Sequence, residues 1–357
     1  MTTMLLGPLS VFADENGVTD IAVTSDGRVW VDKGYGMVER SLDIGRLSPS
    51  AVRDFAIQLC ASLGKRLDDA CPIADASSHD GVRVHAVLAP IVPQGASLSI
   101  RLPHNNLSTL EQLGEQGMFP REWTVLFHRI IASKKSILIC GGTGAGKTTF
   151  VKALLSAIPD DERVVMVEEI HELEHSAHMN RESLVVRDAN AEGAGEVSLS
   201  SLVRATVRMR PDRIVLGECR GEEIADLLRA LNSGHRGSIA TIHADSLERL
   251  PSRLCTLGLL AHISVPAMSL LAAGAFDLVI HIERTETRRH ISHIGRLRVS
   301  DEGKLYGERL SSWDGKHEPH NSKDFEQWCE NLVPALDEDS LNADSTIEFS
   351  RIGATLP

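Results

Sequence analysis

The sequence has little of what marks secreted, membrane-spanning or nucleic-acid-coating proteins. Its six cysteines, Cys60, Cys71, Cys140, Cys219, Cys255 and Cys329, form no C-x-x-C pair. A zinc site or disulfide framework is therefore not expected, and the thiols read as small buried groups. No apolar run reaches the length of a membrane-spanning helix. Met1 to Leu6 holds no basic residue and only a short apolar stretch. It does not read as a signal peptide, so the expected location is the cytoplasm. Positive charge is also in deficit. A formal net charge of −12 disfavours nonspecific nucleic-acid binding as the main task, although a local basic track stays open. No internal repeat is present.

What is present suits a globular protein. The 357 residues are enough for two domains of ordinary size, and 42 % hydrophobic residues supply a core. Residues 1–103 read as an α+β module. Ile21–Thr24 and Arg28–Val31 flank Ser25-Asp26-Gly27, a hairpin signal. Ser48-Pro49-Ser50 opens a helix with Val52, Phe55, Ala56 and Leu59 on one face, and Gly64 stops it. Alternating strands follow near Val82–Leu88 and Leu98–Leu102. Pro103-His104-Asn105-Asn106 begins a linker over residues 104–110.

Residues 111–300 alternate strand and helix signals. Strands are expected at Ser136–Cys140, Arg163–Val167, Arg213–Leu216 and Ser238–Ile242, with a helix from Glu222 to Asn232. Asp277–Ile282 and Ile291–Val299 read as a late strand pair. The expectation is an α/β fold with a mostly parallel sheet covered by helices. Residues 301–357 turn polar and acidic, as at Asp337-Glu338-Asp339, and read as a weakly ordered tail or accessory segment.

The chemistry starts at Gly141-Gly142-Thr143-Gly144-Ala145-Gly146-Lys147-Thr148, a full G-x-x-x-x-G-K-[ST] phosphate loop between a buried strand and a helix. Glycines let successive backbone N–H groups converge on one anion, and the helix N-terminus adds partial positive charge there. Lys147 reaches the β- and γ-phosphates, Thr148 ligates Mg²⁺, and Thr149 completes the nucleotide-binding run. The ligand expected is ATP with Mg²⁺.

Hydrolysis needs acidic and γ-phosphate-sensing groups as well. Glu168 and Glu169 end a buried strand, where carboxylates face the ligand crevice of a parallel sheet. They hold Mg²⁺ through water or orient the attacking water; a surface acidic loop is the alternative. Arg213–Glu218 is a buried strand ending in Gly217-Glu218, with Gly217 in place of the usual Asp. Glu218 is the candidate for positioning or activating water. His243 ends a third strand and reads as a γ-phosphate sensor, the alternative being a structural histidine. His235, just past a helix end, reads as a cap or packing residue.

These residues resemble the hexameric secretion ATPases of the type II/type IV secretion and pilus superfamily. Within it they are most similar to the Tad (Flp pilus) assembly ATPases and their actinobacterial relatives. The resemblance runs from about residue 12 to 297. It is carried by Leu202–Gly221, by Leu231–Ser238 with Thr241–Ser246, and by Asn190–Gly193. In the N-terminal part it is carried by Gly64–Asp69 and Asp80–Val87.

The resemblance implies a RecA-like P-loop ATPase domain with a smaller PAS-like α+β N-terminal domain. It implies that Gly141–Thr148 is the Walker A loop. Glu168 and Glu169 fall in the Asp box, Gly217-Glu218 is an atypical Walker B, and His243 marks the His box. Glu169, where Asp is usual, reaches one methylene further. Phosphate-touching arginines are implied too: Arg101 first, then Arg210 and Arg220, with Arg204 and Arg208 open between this role and structural ion pairs. A hexameric ring, a site between two domains and an inner-membrane platform partner follow from the resemblance. So does a peripheral position at the inner face of the cell membrane, with no nucleic-acid partner. A nucleic-acid translocase on the same core and a non-hydrolysing nucleotide-binding scaffold are the rival readings.

Overall fold

Period-two alternation and short turn signals build one sheet, and buried apolar runs build another. The computed structural model describes residues 6–78, 80–103, 109–173, 180–187, 189, 194–285 and 288–332. Most of the 104–110 linker, all of Asn190–Gly193 and the acidic run at 337–339 lie outside the described residues. The chain divides into two units. One comprises Met1–Asn106 with Ile170–Glu172, the other Leu107–Glu169 with Leu173–Pro357.

The first unit holds six strands: β1 (Asp20–Val23), β2 (Val29–Asp32), β3 (Met37–Arg40), β4 (Ile73–Ser77), β5 (Arg83–Leu88) and β6 (Ala96–Arg101). They pair antiparallel in the order β3-β2-β1-β6-β5-β4. One face buries Ile21, Val23, Val84, Ala86, Leu98 and Ile100. Two short helical segments precede the sheet, the second being α1 (Ser10–Ala13). Helix α2 (Pro49–Ser62) covers the buried face with Val52, Ala56, Leu59 and Cys60. Ser48 caps it, its hydroxyl accepting from the Ala51 N–H at 3.1 Å, and Pro49 fits the first helical turn.

The second unit is one nine-stranded sheet. Its strands are β7 (Ile137–Gly141), β8 (Val164–Glu168), β9 (Arg181–Val185), β10 (Arg213–Cys219), β11 (Ile239–Ile242), β12 (Leu278–Arg284), β13 (Arg289–Val299), β14 (Leu305–Ser312) and β15 (His320–Asn321). The order is β15-β14-β13-β12-β7-β11-β10-β8-β9. From β12 to β9 neighbours run parallel, and β13 to β15 are added antiparallel.

Every residue of β7, β8 and β11 is buried, as expected for central strands covered on both faces. The helices are α3 (Leu110–Glu115), α4 (Trp123–Ala132), α5 (Lys147–Ser156), α6 (Leu199–Thr206), α7 (Glu223–Asn232), α8 (Leu250–Leu260), α9 (Val265–Ala275) and α10 (Lys323–Glu330). Helices α3, α4, α5 and α10 contribute to one apolar cluster, and α6 to α9 to the other. Phe127 on α4 meets Phe150 on α5 edge to face at 5.1 Å and Phe119 at 4.9 Å. This aromatic wedge supports the helix that follows the phosphate loop.

Residues 305–330, expected to begin a tail, instead extend the second sheet and its core. Their polar composition hides an i, i+4 apolar pair, Phe325 and Cys329, which α10 buries. Arg129 ties the end of this segment down, donating to the carbonyls of Cys329 and Leu332, each at 2.9 Å.

Candidate active site

The parallel strands β7, β11, β10 and β8 end along one sheet edge, so residues at those ends are neighbours in strand order. The phosphate loop leaves β7 at Gly141. A Cβ there would lie 2.3 Å from the Ile282 carbonyl oxygen on β12, so only glycine lets the two backbones approach this closely. The loop then passes through Gly144 at φ +69° and enters α5 at Lys147.

Lys147 is 7 % exposed. Its ammonium folds onto the loop, donating to the Gly141 and Gly142 carbonyls at 2.9 Å each, and it meets His243 Nδ1 at 3.3 Å. Burial lowers its pKa, and the Glu218 charge offsets part of that shift. An ammonium can only donate, so Nδ1 of His243 accepts and Nε2 carries the ring proton. That N–H points to Glu218 Oε1 at 2.6 Å. Burial first, and then the Lys147 charge, hold the His243 pKa below the ordinary histidine value, with Glu218 acting in the opposite sense. The histidine is thus poised neutral between a cation and a carboxylate.

Arg220 continues the line. Its Nε pairs with Glu218 Oε2 and its Nη1 with Glu169 Oε2. Lys147, His243, Glu218, Arg220 and Glu169 therefore form one hydrogen-bonded chain across four strand ends. Two cations and two carboxylates balance within it.

A bulge aims Glu218 at this chain. Leu216 pairs with Ala240 and Cys219 with Ile242, so Gly217 and Glu218 together oppose Thr241. An extra residue in one strand kinks it and re-aims the side chain. Thr241 Oγ1 secures the bulge, donating to the Gly217 carbonyl at 2.5 Å. The sequence signal was Gly217 inside a strand pattern. Glu223 is a supporting residue that sequence reasoning missed. Its Oε1 accepts from the backbone N–H groups of Arg220 at 2.5 Å and Gly221 at 2.8 Å, fixing the segment that carries Arg220.

Other nominated residues are not members of this hydrogen-bonded chain. Glu168 is 3 % exposed, and its oxygens accept from the Leu173 N–H at 2.9 Å and the Ser183 hydroxyl at 3.2 Å. Its Cγ lies 3.4 Å from where a Gly217 Cβ would stand, so it packs beside the bare strand end. Arg210 precedes β10, at the end of the strand opposite Glu218, and is exposed. Arg101 belongs to the first unit, at the end of β6, where it stands opposite Asp20 on one neighbour and Arg83 on the other.

Arg204 pairs with Asp226 at 2.8 Å and bonds Ser200 at 2.7 Å, the structural ion pair left open in the sequence. Arg208 is exposed. In the loop, Ala145 is buried, Gly142, Gly146 and Thr148 are half-buried, and Thr143 and Thr149 are exposed. His235 caps α7 through Nδ1 to the Ala230 carbonyl at 3.0 Å. Among the described residues no cluster of three or more His, Cys, Asp or Glu could itself enclose a metal ion. Mg²⁺ does not require one, because it keeps waters and phosphate oxygens and takes only one or two protein oxygens. The Thr148 hydroxyl and the Glu169 carboxylate are donors of that kind.

Comparison with known proteins gives a consistent picture. The family model described as Type II/IV secretion system protein matches residues 7–296. A putative conjugal transfer protein of Mycobacterium tuberculosis strain H37Rv is 40 % identical over 302 residues, covering 83 % of this chain and 85 % of that one. The conjugal transfer protein TrbB of Rhizobium radiobacter is 31 % identical, covering 80 % and 85 %. Among solved structures, the Legionella pneumophila ATPase DotB has a TM-score of 0.60 at 16 % identity, covering 85 % of this chain and 82 % of that one. The pilus retraction motor PilT with bound ADP has a TM-score of 0.53 at 18 % identity, covering 90 % and 84 %. These structural likenesses show the fold, which is the RecA-like one expected from the sequence.

Proposed function

Because the chain belongs to the Type II/IV secretion system protein family and is a secretion-system ATPase, we propose that it is the Mg²⁺-dependent motor of a Tad (Flp pilus) or related type II/IV secretion machine. The observation that supports this reading best is the unbroken line Lys147–His243–Glu218–Arg220–Glu169 beside the phosphate loop. Loop N–H groups and the α5 terminus receive the triphosphate. The Lys147 ammonium exchanges its two carbonyl partners for β- and γ-phosphate oxygens. Glu218 accepts a hydrogen bond from the attacking water and takes its proton as the water oxygen bonds to the γ-phosphorus; the bond from that phosphorus to the βγ-bridging oxygen breaks, and ADP leaves with the electron pair. His243 couples the γ-phosphate region to Glu218 through Nε2–H. Thr148 and Glu169 would hold Mg²⁺, which screens phosphate charge. Glu168, whose oxygens are committed to Leu173 and Ser183, acts by positioning the strand end.

Arg101 and Arg210 stand outside this line, so we assign any phosphate contact by them to a ring of subunits. A hexamer on an inner-membrane platform protein, peripheral to the cytoplasmic face, is the assembly proposed. Among the described residues no helix is long and apolar enough to cross a membrane. Placement in the Tad branch rests on the Leu202–Gly221 and Leu231–Ser246 blocks.

The test is phosphate release with and without Mg²⁺ and DNA, beside a mass measurement with and without nucleotide. Mg²⁺-dependent release from a nucleotide-stabilised ring is expected. A monomer that binds ATP without releasing phosphate would establish a scaffold, and release dependent on DNA would establish a translocase.

A further inference from the structure

We infer that the far end of the β12–β13 hairpin, through Arg284 and Arg289, is the subsite for the α- and β-phosphates of the bound nucleotide. The inference rests on the reading that ATP occupies the 141–148 loop. It assigns a role to two arginines that neither the motif nor the charged line contains.

The placement follows from strand order. Strand β7 has β11 on one side and β12 on the other. The line from Lys147 to His243 and Glu218 leaves β7 on the β11 side, so the γ-phosphate end belongs there. The rest of the nucleotide extends towards the opposite flank, where β12 lies one strand spacing, about 4.8 Å, away. On that flank Ile282 pairs with Gly141, and two residues later Arg284 overhangs the loop.

The contact is close. A Cβ on Gly144 would stand 2.8 Å from Arg284 Nη1, and one on Gly146 would stand 3.6 Å from Arg289 Cδ. The two glycines leave room for both arginine side chains directly against the cradle. The Arg284 guanidinium is exposed and forms no hydrogen bond or ion pair among the described residues.

The hairpin itself is unusual. Arg284 and Arg289 are direct cross-strand partners. A polyanion lying across two such guanidinium groups gains charge-assisted hydrogen bonds. The described residues on either side of the turn are tied together. The Thr285 N–H donates to the Arg288 carbonyl at 2.8 Å, the Arg288 N–H donates to Thr285 Oγ1 at 3.2 Å, and the Arg288 guanidinium donates to the Gly315 carbonyl. The pair is therefore presented on a strand end rather than a free loop.

The α- and β-phosphates are common to ATP and ADP; the α-phosphate keeps its charge throughout, while the β-phosphate gains negative charge as the βγ-bridging oxygen leaves with the bonding pair. Binding energy drawn from the α-phosphate is uniform between ground state and transition state, and only the part drawn from the β-phosphate grows towards the transition state. The test is steady-state turnover and calorimetric ADP binding on the full chain as wild type, Arg284→Ala, Arg284→Gln, Arg284→Lys and Arg289→Ala, with melting curves for each.

In Arg284→Ala, KM for ATP and Kd for ADP should rise together by roughly 10- to 100-fold, the value of one or two hydrogen bonds from a charged group. The kcat should fall by a smaller factor than KM rises, since most of the lost binding is present before cleavage and only the charge developing on the β-phosphate is specific to the transition state. Arg284→Lys should recover part of the affinity, since it keeps the charge without the planar fork. If Arg284→Ala melts early, Arg284→Gln is judged by the same criteria. Unchanged ADP affinity beside an active wild type overturns the inference alone. A fall in kcat with ADP affinity intact also overturns it, by moving the arginine to the γ-phosphate. A wild type that releases no phosphate overturns the ATPase reading instead.

Discussion

Replacing Glu218 by Gln removes the carboxylate while keeping the side chain's length. In the structure that carboxylate accepts from His243 Nε2 at 2.6 Å and pairs through its other oxygen with Arg220, rather than with the phosphate loop. A positioned base contributes about 10²- to 10⁴-fold to the rate, or roughly 3–5 kcal/mol of barrier. Phosphate release by Glu218→Gln should fall by that factor, while ATP affinity, set by the loop and Lys147, should change by less than about threefold. Because His243 and Glu218 are directly bonded, Glu218→Gln/His243→Ala should be no slower than the worse single variant. Steady-state phosphate release and equilibrium binding of a fluorescent ATP analogue read the two quantities separately. Turnover within a few fold of wild type, or an affinity loss equal to the rate loss, would refute the role given to Glu218.

Three further outcomes follow from the packing. Gly141→Ala places a methyl 2.3 Å from the Ile282 carbonyl oxygen, and neither backbone is free to give; a loss of about 1–3 kcal/mol is expected in denaturant unfolding. Arg213 is fully buried and serves Glu162 at 2.6 Å and the Ile131 carbonyl at 2.8 Å. Arg213→Met removes the buried partner of Glu162 and leaves it, among the described residues, only the half-exposed Lys134 at 3.5 Å; it should cost about 3 kcal/mol, with a fall in Tm that Glu162→Gln partly restores. His281 and His290 are each 4 % exposed, and burial, the largest cause, lowers both pKa values. Below the ordinary histidine value of about 6.5 the unfolded chain therefore takes up protons that the folded chain refuses. Stability is fully present above that pH and declines as pH falls, by at most about 1.4 kcal/mol per pH unit for each histidine. Equal unfolding free energies at pH 7.5 and pH 5.5 would contradict this.

Much of the site was legible because its geometry is local. Glycine spacing in 141–146 specifies the anion cradle, and unbroken apolar runs mark β7, β8, β10 and β11 as strands whose ends share an edge. The late strand pair was legible as β12 and β13, and its antiparallel sense came with the fold. What escaped depends on partners far along the chain. The bulge at Gly217-Glu218 exists only against Thr241, and Glu223 acts only because α7 starts where Arg220 turns. Arg284 could not be nominated without knowing that β12 lies beside β7. Composition also misled. The segment after residue 300 is polar enough to read as a tail, yet one apolar pair on α10 and two carbonyls held by Arg129 make it part of the core. Arg210 came from the family resemblance alone, and its place before β10, at the strand end opposite Glu218, emerged only with the fold.

The most direct measurement is a structure with a non-hydrolysable ATP analogue and Mg²⁺. The Lys147 ammonium should have left the Gly141 and Gly142 carbonyls for the β- and γ-phosphates, with Glu218 and His243 facing the γ-phosphate across a water. A triphosphate bound away from residues 141–148, or a Glu218 carboxylate turned from the γ-phosphate, would contradict the account.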